Sequence, residues 1–231
     1  MKGKQEQTIP TITTDLRKDI ITVPKSISQA SGIRIFGKLI RSIIFTTDIA
    51  IICNNDADAV IAVYPFTPHP AIIQSITLAA NIPVFSGVGG GLTHGKRSAN
   101  ISLFAEAQGS LGVVVNAPTP TSTIKEISDN IDIPIIGTIV SEFTDIQEKM
   151  NAGISILNVS GGAHTAKMVK KIRKDFPDIA IIATGGPTEE SIIETIEAGA
   201  NAITYTPPSN GVLFSKKMEN YRDKEEAQFQ E

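Results

Sequence analysis

The sequence predicts a (β/α)8 barrel of the α/β class with an N-terminal arm, and three observations support this fold class. Eight apolar runs of strand length recur from residue 42 onward, and stretches with helical spacing separate them. The runs are mostly apolar throughout rather than alternating, as in parallel strands that are covered on both faces. The junctions between helices and strands also repeat, which favours a closed ring of equivalent units.

The eight runs are rich in isoleucine and valine, and each has about the length of one strand. In chain order they are SIIFTT (42–47), AVIAVY (59–64), PVFSGV (83–88), GVVVNA (112–117), PIIGTI (134–139), SILNVS (155–160), AIIATGG (180–186) and AITYTP (202–207).

The segments between the runs predict helices that end before the next strand. Apolar or long side chains recur at helical spacing at Ile101, Phe104 and Gln108, and again at Ile192, Ile193, Ile196 and Ala200. A glycine follows three of the helical segments, at Gly109, Gly153 and Gly199, where a left-handed residue commonly terminates a helix. The repeat of about 45 residues spans two strand-helix units. An open, doubly wound sheet is the alternative architecture.

The chain divides into an arm or cap (residues 1–41), the barrel (42–220) and a polar C-terminal tail (221–231). Within the arm, VPKSISQASG predicts turns or a short helix, and GIRIFGK predicts a β-hairpin that closes the floor of the barrel. The arm carries apolar side chains that nothing in the barrel is predicted to cover. We therefore expect a homo-oligomer.

Composition indicates a globular protein with a small-molecule partner. Of 231 residues, 41% are hydrophobic and 19% charged, and no apolar run approaches the ~18 residues of a membrane span. The N-terminus lacks the apolar core of a secretory signal, so a cytoplasmic location is the expectation. The net charge of −3 gives no reason to expect nucleic-acid or membrane binding. The single cysteine, Cys53, permits no internal disulfide and is expected to be a buried thiol.

A glycine-rich stretch, GVGGGLTHGKRS (87–98), has the glycine and lysine spacing of a nucleotide-binding P-loop. Arg97 stands where that motif needs a serine or threonine for magnesium, and the barrel makes this stretch the third loop of a closed ring. Triphosphate hydrolysis is therefore not expected. The glycine N–H groups, together with Lys96 and Arg97, could bind an anion. Alternatively, the stretch is a lid or a turn with solvated basic residues.

A stronger phosphate-binding candidate follows the seventh run. IIATGGPTEESIIETIEAGANAI resembles the seventh strand and helix of phosphate-binding TIM barrels, including sugar-phosphate epimerases, aldolases and thiamin-pathway enzymes. The resemblance implies that Thr184, Gly185 and Gly186 present amide donors to a phosphate. In the loop after the eighth run, TPPSNG, two prolines without N–H groups replace the usual Gly-Ser pair, and Ser209 could substitute. A purely structural tight turn is the alternative.

Other polar residues are predicted near the same end of the barrel. The sixth run leads into NVSGGAHT, where Asn158, Ser160, Gly161 and Gly162 could supply donors, unless the glycines only turn the chain into a helix. At the ends of the fourth and second runs, Asn116 and Tyr64 are candidates for positioning a substrate. These positions share a rim because the carboxyl ends of parallel barrel strands meet at one face.

The titratable residues at strand ends are few: Asp48, His69, His94, Glu142 and His164. We assign general acid–base catalysis to Asp48, His69 and Glu142. As alternatives, Asp48 caps a helix and Glu142 lies in a first helical turn. No HxH or HxxxH spacing occurs, and no lysine stands at a strand end. Neither a metal site, a cofactor nor Schiff-base chemistry is therefore expected.

Over nearly its full length the chain resembles a family of bacterial barrel proteins labelled as hydrolases without an established reaction. The resemblance rests on TTDLRKDIITVPKS, IRIFGK, ADAVIAVYPFTPHP, VVVNAPTP, ILNVSGG and IIATGGPTEESI. It implies a TIM barrel and favours hydrolysis as the reaction. Together with the phosphate-binding turn, this gives the first hypothesis, an enzyme that acts on a small anionic, phosphorylated metabolite by acid–base chemistry. A sugar-phosphate isomerase, epimerase or lyase is the second hypothesis, and a non-catalytic ligand-sensing barrel is the third.

Overall fold

The computed structural model describes residues 9–228 and begins with a segment that leads to a small hairpin. Residues 9–20 are exposed and form neither helix nor strand, and a 3-10 turn follows at Lys25–Gln29. Strands β1 (Ile33–Ile35) and β2 (Lys38–Ile40) then pair antiparallel across Phe36 and Gly37, both at positive φ. Since Ile35 and Ile40 pack among the residues inside the barrel, the hairpin predicted at GIRIFGK closes its floor.

Eight parallel strands form a closed barrel, which confirms the predicted fold class. They are β3 (Ser42–Phe45), β4 (Ala59–Ala62), β5 (Val84–Gly89), β6 (Gly112–Val115), β7 (Ile135–Ile139), β8 (Ile154–Val159), β9 (Ala180–Thr184) and β10 (Ala202–Tyr205). The last strand pairs with the first, with Tyr205 opposite Ile44, so that no sheet edge is left open. Each strand overlaps one of the eight predicted apolar runs, and the open-sheet alternative is wrong.

A helix follows each barrel strand. The helices are α1 (Ile49–Ile52), α2 (Pro70–Ala79), α3 (Gly95–Ala107), α4 (Thr121–Ser128), α5 (Ile146–Asn151), α6 (Thr165–Asp175), α7 (Glu189–Glu197) and α8 (Asn210–Gln228). The predicted terminators Gly109, Gly153 and Gly199 have φ of 89°, 120° and 111°, the left-handed region that glycine adopts without a steric penalty. Within residues 9–228, no helix combines the length and hydropathy needed to cross a membrane.

The strands are apolar on both faces because each separates two parts of the core. Every barrel strand contributes to the interior cluster, β4 through both Ala59 and Ile61 and the others through Ile43, Phe85, Val114, Ile136, Ile156, Ile182 and Ala202. Their neighbours in sequence point outward against the helices, as Val113 and Val115 do. Side chains alternate along a strand, so the residue two positions after each interior residue points inward at the carboxyl end.

The expectation for Cys53 was wrong. Its side chain is exposed, and Sγ lies 3.3 Å from the carbonyl oxygen of Ala79, to which it donates. The apolar stretch before it forms α1, which has only four residues, and Cys53 follows the last of them. The residue therefore lies beyond the buried part of the helix.

Candidate functional site at the barrel mouth

The carboxyl ends of the barrel strands form a ring of inward-facing residues that we call the mouth. Its members each stand two or four positions after an interior residue of the same strand: Phe45, Val63, Gly87, Asn116, Thr138, Val140, Asn158, Ser160, Thr184 and Thr204. This is the face where substrates bind in (β/α)8 barrels. None of these side chains is titratable near neutral pH.

The floor of the mouth is the layer of side chains next to the barrel interior, at the end opposite the hairpin, and it contains polar atoms that lack partners. Asn158 Nδ2 donates to Thr138 Oγ1 at 3.5 Å, but Asn158 Oδ1 is buried and has no hydrogen-bond partner among the described residues. Thr204 Oγ1 on β10 is likewise buried and unpaired within residues 9–228. Leaving a buried polar atom unsatisfied costs roughly 1–3 kcal/mol. Atoms of this kind are expected where a ligand completes the hydrogen bonding.

A hydroxyl pair extends this floor towards β9. Thr184 Oγ1 donates to Ser160 Oγ at 3.4 Å, and both residues are half-buried. The sequence predicts Asn158, Ser160 and Thr184 as ligand-binding residues but does not predict Thr138 or Thr204. Strand alternation is the signal that identifies the two missed threonines, because each stands two positions after an interior residue.

The turn after β9 has the geometry of an amide-donating loop. Gly186 has φ of 83°, and a Cβ there would lie 2.6 Å from Ser191 Oγ. A Cβ on Gly185 would lie 2.7 Å from Ile203 Cγ2, so both positions exclude a side chain. The N–H of Gly186 has no acceptor within the described part of the chain. That of Gly185 points at the Thr204 carbonyl oxygen at a distance of 3.5 Å.

The loop after β10 uses Ser209 to begin a helix. Ser209 directly precedes α8, and its Oγ accepts the Val212 N–H at 3.4 Å. Pro207, two residues earlier, is buried. The serine oxygen therefore serves α8, while its hydroxyl hydrogen is not engaged by any described residue.

The second glycine pair makes its hydrogen bonds within its own loop. The Gly161 N–H donates to Thr165 Oγ1 at 3.0 Å, and a Cβ on Gly161 would contact Met168 Sδ. Gly162 has φ of 59° and opens the short 3-10 turn that leads into α6. Gly161 thus has no spare N–H for a ligand, whereas the N–H of Gly162 has no acceptor among the described residues, and the prediction that Gly162 donates to a ligand stays open.

Asn116 lies at one end of a narrow cleft in the mouth. Its backbone N–H donates to Gly89 O at 3.0 Å, and a Cβ on Gly90 would collide with its side chain. The other residues that line the cleft are Val63, Tyr64, Phe66, Pro68, Gly87, Gly89 and Gly90. Tyr64 Oη accepts the backbone N–H of His69 at 2.8 Å, which leaves the tyrosine hydroxyl hydrogen free to donate to a ligand.

The glycine-rich stretch after β5 closes on itself. Gly90 and Thr93 exchange two backbone hydrogen bonds of 3.2 Å, and the Gly95 N–H donates to Thr123 Oγ1 at 3.0 Å. The tip of this turn presents Leu92, which is 98% exposed. The stretch forms a tight turn at the rim of the mouth, and anion binding by its amides with Lys96 and Arg97 stays a prediction.

Asp48 caps α1 with one carboxylate oxygen. Oδ1 accepts the N–H groups of Ala50 at 2.9 Å and Ile51 at 3.3 Å, while Oδ2 has no partner among the described residues. The side chain lies in the loop after β3, at the mouth end of the barrel. One oxygen is therefore structural and the other is free for chemistry.

The histidines lie on helix-starting loops. His69 Nδ1 accepts the Ala71 N–H at 3.2 Å and caps α2, which places the proton of the neutral ring on Nε2. His94 and His164 are exposed and precede α3 and α6. Within residues 9–228, no three His, Cys, Asp or Glu side chains come close enough to hold a metal ion together.

Glu142 is held on the outer surface by two lysines of α6. Its carboxylate lies 3.4 Å from Lys167 Nζ and 3.9 Å from Lys171 Nζ, and its backbone oxygen accepts from Lys171 at 3.1 Å. It lines a groove between α5 and α6 with apolar residues such as Met168 and Ile172. Asp48 and the polar floor thus share the mouth, whereas Glu142 does not join them.

One lysine that the sequence did not indicate reaches the loop after β6. Lys149 of α5 donates from Nζ to the Ala117 carbonyl oxygen at 3.4 Å, and burial lowers the pKa of Lys149, partly offset by the charge of Glu148. Ala117 directly follows Asn116. The contact ties α5 to the loop that holds Asn116, and only the tertiary fold brings the two together.

Solved structures share the barrel fold. A phosphonopyruvate hydrolase in complex with oxalate and Mg²⁺ has a TM-score of 0.63 at 10% identity, covering 87% of each chain. A 2,3-dimethylmalate lyase of the PEP mutase/isocitrate lyase superfamily scores 0.61 at 13% identity, covering 87% of this chain and 84% of that one. The 4-hydroxy-tetrahydrodipicolinate synthase from Methylacidiphilum fumariolicum SolV scores 0.57 at 12% identity, covering 71% and 67%.

These likenesses confirm the TIM-barrel fold and carry no reaction over to this chain, since the identities are far too low. The neighbours differ in the activities that their names state, so they give the hydrolase label no support. No family model matches the sequence, and no curated protein matches it significantly.

Proposed function

We propose that the mouth binds a small anionic metabolite, with a phosphate ester as the first candidate. The observation that carries this proposal is the pair of buried, unpaired atoms Asn158 Oδ1 and Thr204 Oγ1 beside the Thr184–Gly186 turn. They are two of the four buried, unpaired side-chain atoms among residues 9–228, with Ser26 Oγ and Thr119 Oγ1, and these two lie on inward positions at the face where substrates bind in (β/α)8 barrels.

The chemistry of these groups defines the ligand. The free N–H of Gly186 and the hydroxyl hydrogen of Thr204 are donors, which suit the oxygens of a phosphate or carboxylate. The unpaired end of the Asn158 amide suits a hydroxyl of the same ligand. Because the inward ring contains no carboxylate, nothing on the floor repels an anion. A phosphate ester that carries one hydroxyl, either on its organic part or on a singly protonated phosphate, satisfies all three requirements.

Catalysis is the extension of this proposal, and two groups at the rim favour it. Asp48 Oδ2 is free to accept a proton, and the Tyr64 hydroxyl is free to donate one. His69, through Nε2, is a further candidate. Glu142 is less suitable because two lysines hold it on the outer surface. Hydrolysis, isomerisation and carbon–carbon cleavage all use such acid–base pairs, and a sensing barrel would use none.

Calorimetric titration with inorganic phosphate and glycerol 3-phosphate tests the binding step. We expect saturable binding to the wild-type chain and a loss of at least about tenfold in affinity for Thr204→Val and Asn158→Ala, because each removes one hydrogen bond to the ligand. Thr195→Val is the matched control, since Thr195 is buried on α7 and bonds Ser191 within the helix. Equal affinities for all four chains, or no binding, would contradict the proposal.

A metabolite screen then separates an enzyme from a sensor. We expect Asp48→Asn to abolish turnover of any active phosphate ester while leaving its binding intact, with Asp129→Asn of α4 as an exposed carboxylate control. Binding without turnover in the wild-type chain would favour the sensing barrel.

A further inference from the structure

The mouth has two chemically different halves. The polar half comes from β8, β9 and β10, which contribute Asn158, Ser160, Thr184 and Thr204. The strands that follow around the ring, β3 and β4, carry apolar side chains two positions after their interior residues, Phe45 and Val63, where β8, β9 and β10 carry Asn158, Thr184 and Thr204. Thr138 of β7 and Asn116 after β6 continue the polar side, so the polar arc runs from β6 to β10 and the apolar arc from β3 to β4.

The apolar half continues into the cleft beside it. A Cβ on Gly87 would lie 3.1 Å from Val63 Cγ2, which places the bare β5 backbone directly against Val63. Phe66 and Pro68 form the outer wall of the same cleft. Gly87, Gly89 and Gly90 let neighbouring groups pack directly against the backbone, and the facing wall of the cleft is aromatic and aliphatic.

Large apolar side chains at this end face water. Phe45 is 38% exposed although it points inward from β3, and Phe66 is 77% exposed. Exposed apolar area concentrated beside a polar pocket is typical of a ligand-binding surface.

We propose that the ligand of the mouth is amphipathic: a phosphate head lies on β8–β10, and an attached aromatic or short alkyl group lies against Phe45, Val63 and Phe66. This inference rests on the proposed function and names its substrate class. A ligand with hydroxyl groups at both ends would satisfy the polar half and would leave polar atoms unpaired against the apolar half. A phosphate ester of an apolar alcohol complements both.

Calorimetry with a graded set of probes tests the inference: inorganic phosphate, glycerol 3-phosphate and phenyl phosphate. We expect phenyl phosphate to bind about tenfold more tightly than glycerol 3-phosphate, because its ring removes apolar surface of the mouth from water.

Two substitutions at equally exposed positions test whether the preference for phenyl phosphate over glycerol 3-phosphate arises at the mouth. Phe66→Ala is expected to lower affinity for phenyl phosphate at least about threefold more than affinity for glycerol 3-phosphate. Leu78→Ala is the control, because Leu78 is 78% exposed near the end of α2, at the opposite end of the barrel. Neither side chain is buried, so both variants are expected to fold, and thermal unfolding checks this.

Three outcomes would contradict the amphipathic ligand, and they differ in what they say about the phosphate site. If glycerol 3-phosphate binds as tightly as phenyl phosphate, the amphipathic ligand is wrong and the phosphate site stands. If none of the three probes binds, the proposed function fails and this inference fails with it. If Phe66→Ala changes the mass in sedimentation without altering the preference between esters, the apolar half is a protein interface and the inference is overturned.

Discussion

The hydroxyl of Thr204 costs the folded protein stability and is expected to contribute to ligand binding instead. Its Oγ1 is buried on β10 and unpaired among the described residues, so the folded protein bears the cost of desolvating it. Natural proteins retain such costs mainly at sites where a ligand repays them.

Replacing Thr204 by valine is therefore expected to leave the free energy of unfolding unchanged or raise it by up to about 1 kcal/mol, because no hydrogen bond is lost. Thr195→Val should lower it by about 1 kcal/mol, since Thr195 Oγ1 donates to the Ser191 carbonyl at 2.8 Å. Urea denaturation of both variants measures the difference. Equal destabilisation of the two would show that Thr204 has a structural partner after all.

At the scale of elements, the amino-terminal end of the barrel is built for stability. Asp58 Oδ2 accepts the N–H groups of Arg41 at 2.8 Å and Ser42 at 2.9 Å, which fixes the entry to β3. Asn201 accepts from Ile181 at 2.9 Å and donates to Ser31 at 3.0 Å, which joins β9, β10 and the arm. These polar groups have partners within the fold, although Ser26 Oγ of the 3-10 turn is buried and unpaired among the described residues, as Asn158 Oδ1 and Thr204 Oγ1 are at the mouth.

Arg173 of α6 is the centre of that network. Nε and Nη2 donate to the Gly199 carbonyl at 3.2 and 2.8 Å, and Nη1 donates to those of Pro177 and Ile179 at 2.7 and 2.8 Å. Nη2 also donates to Asn201 Oδ1 at 2.7 Å. Burial lowers the pKa of Arg173, and the charge of Asp178 opposes this. One planar guanidinium therefore ties the junctions before β9 and β10.

We expect Arg173→Lys to lower the free energy of unfolding by about 2–3 kcal/mol, because an ammonium group cannot reproduce the planar fork of donors. Arg222→Lys on the exposed part of α8 is the control and should change it by less than about 0.5 kcal/mol. Thermal or urea denaturation measures both. Affinity at the mouth should be unchanged in each, and a loss there would mean that the two ends of the barrel are coupled.

At the scale of the whole molecule, the N-terminal arm is the part that the barrel does not cover. Ile9, Ile12 and Leu16 are 92%, 94% and 95% exposed. An ion pair of 3.3 Å between Asp19 and Lys217 joins the end of this segment to α8. The expectation of a homo-oligomer remains a prediction, and these three side chains are where it is tested.

Sedimentation of the full chain should give the mass of an oligomer, and the triple change Ile9→Ser, Ile12→Ser and Leu16→Ser should shift it towards the monomer. The reason is that each large apolar side chain contributes about 1.5–3 kcal/mol when it is removed from water. The matching triple change Leu78→Ser, Leu103→Ser and Ile72→Ser on exposed helix positions is the control. A monomeric wild-type chain would show that the arm has no second copy to cover it.

Much of the barrel could be read from local features of the chain. The eight apolar runs identify β3 to β10 because a strand buried on both faces needs consecutive apolar residues. Gly109, Gly153 and Gly199 mark helix ends because only glycine adopts positive φ there without strain. The Thr184–Gly186 turn could also be located in advance, since its glycines and the helix after it are neighbours in sequence.

What the sequence by itself determined is therefore the barrel, its order of elements and the end at which the loops gather, because periodicity and turn chemistry act over a few residues. Only the tertiary structure decided which side chains meet. It paired Glu142 with the lysines of α6, linked Lys149 to the loop after β6, and joined Thr138 and Thr204 to the floor. These contacts span many residues and depend on where each side chain points, which no local pattern encodes.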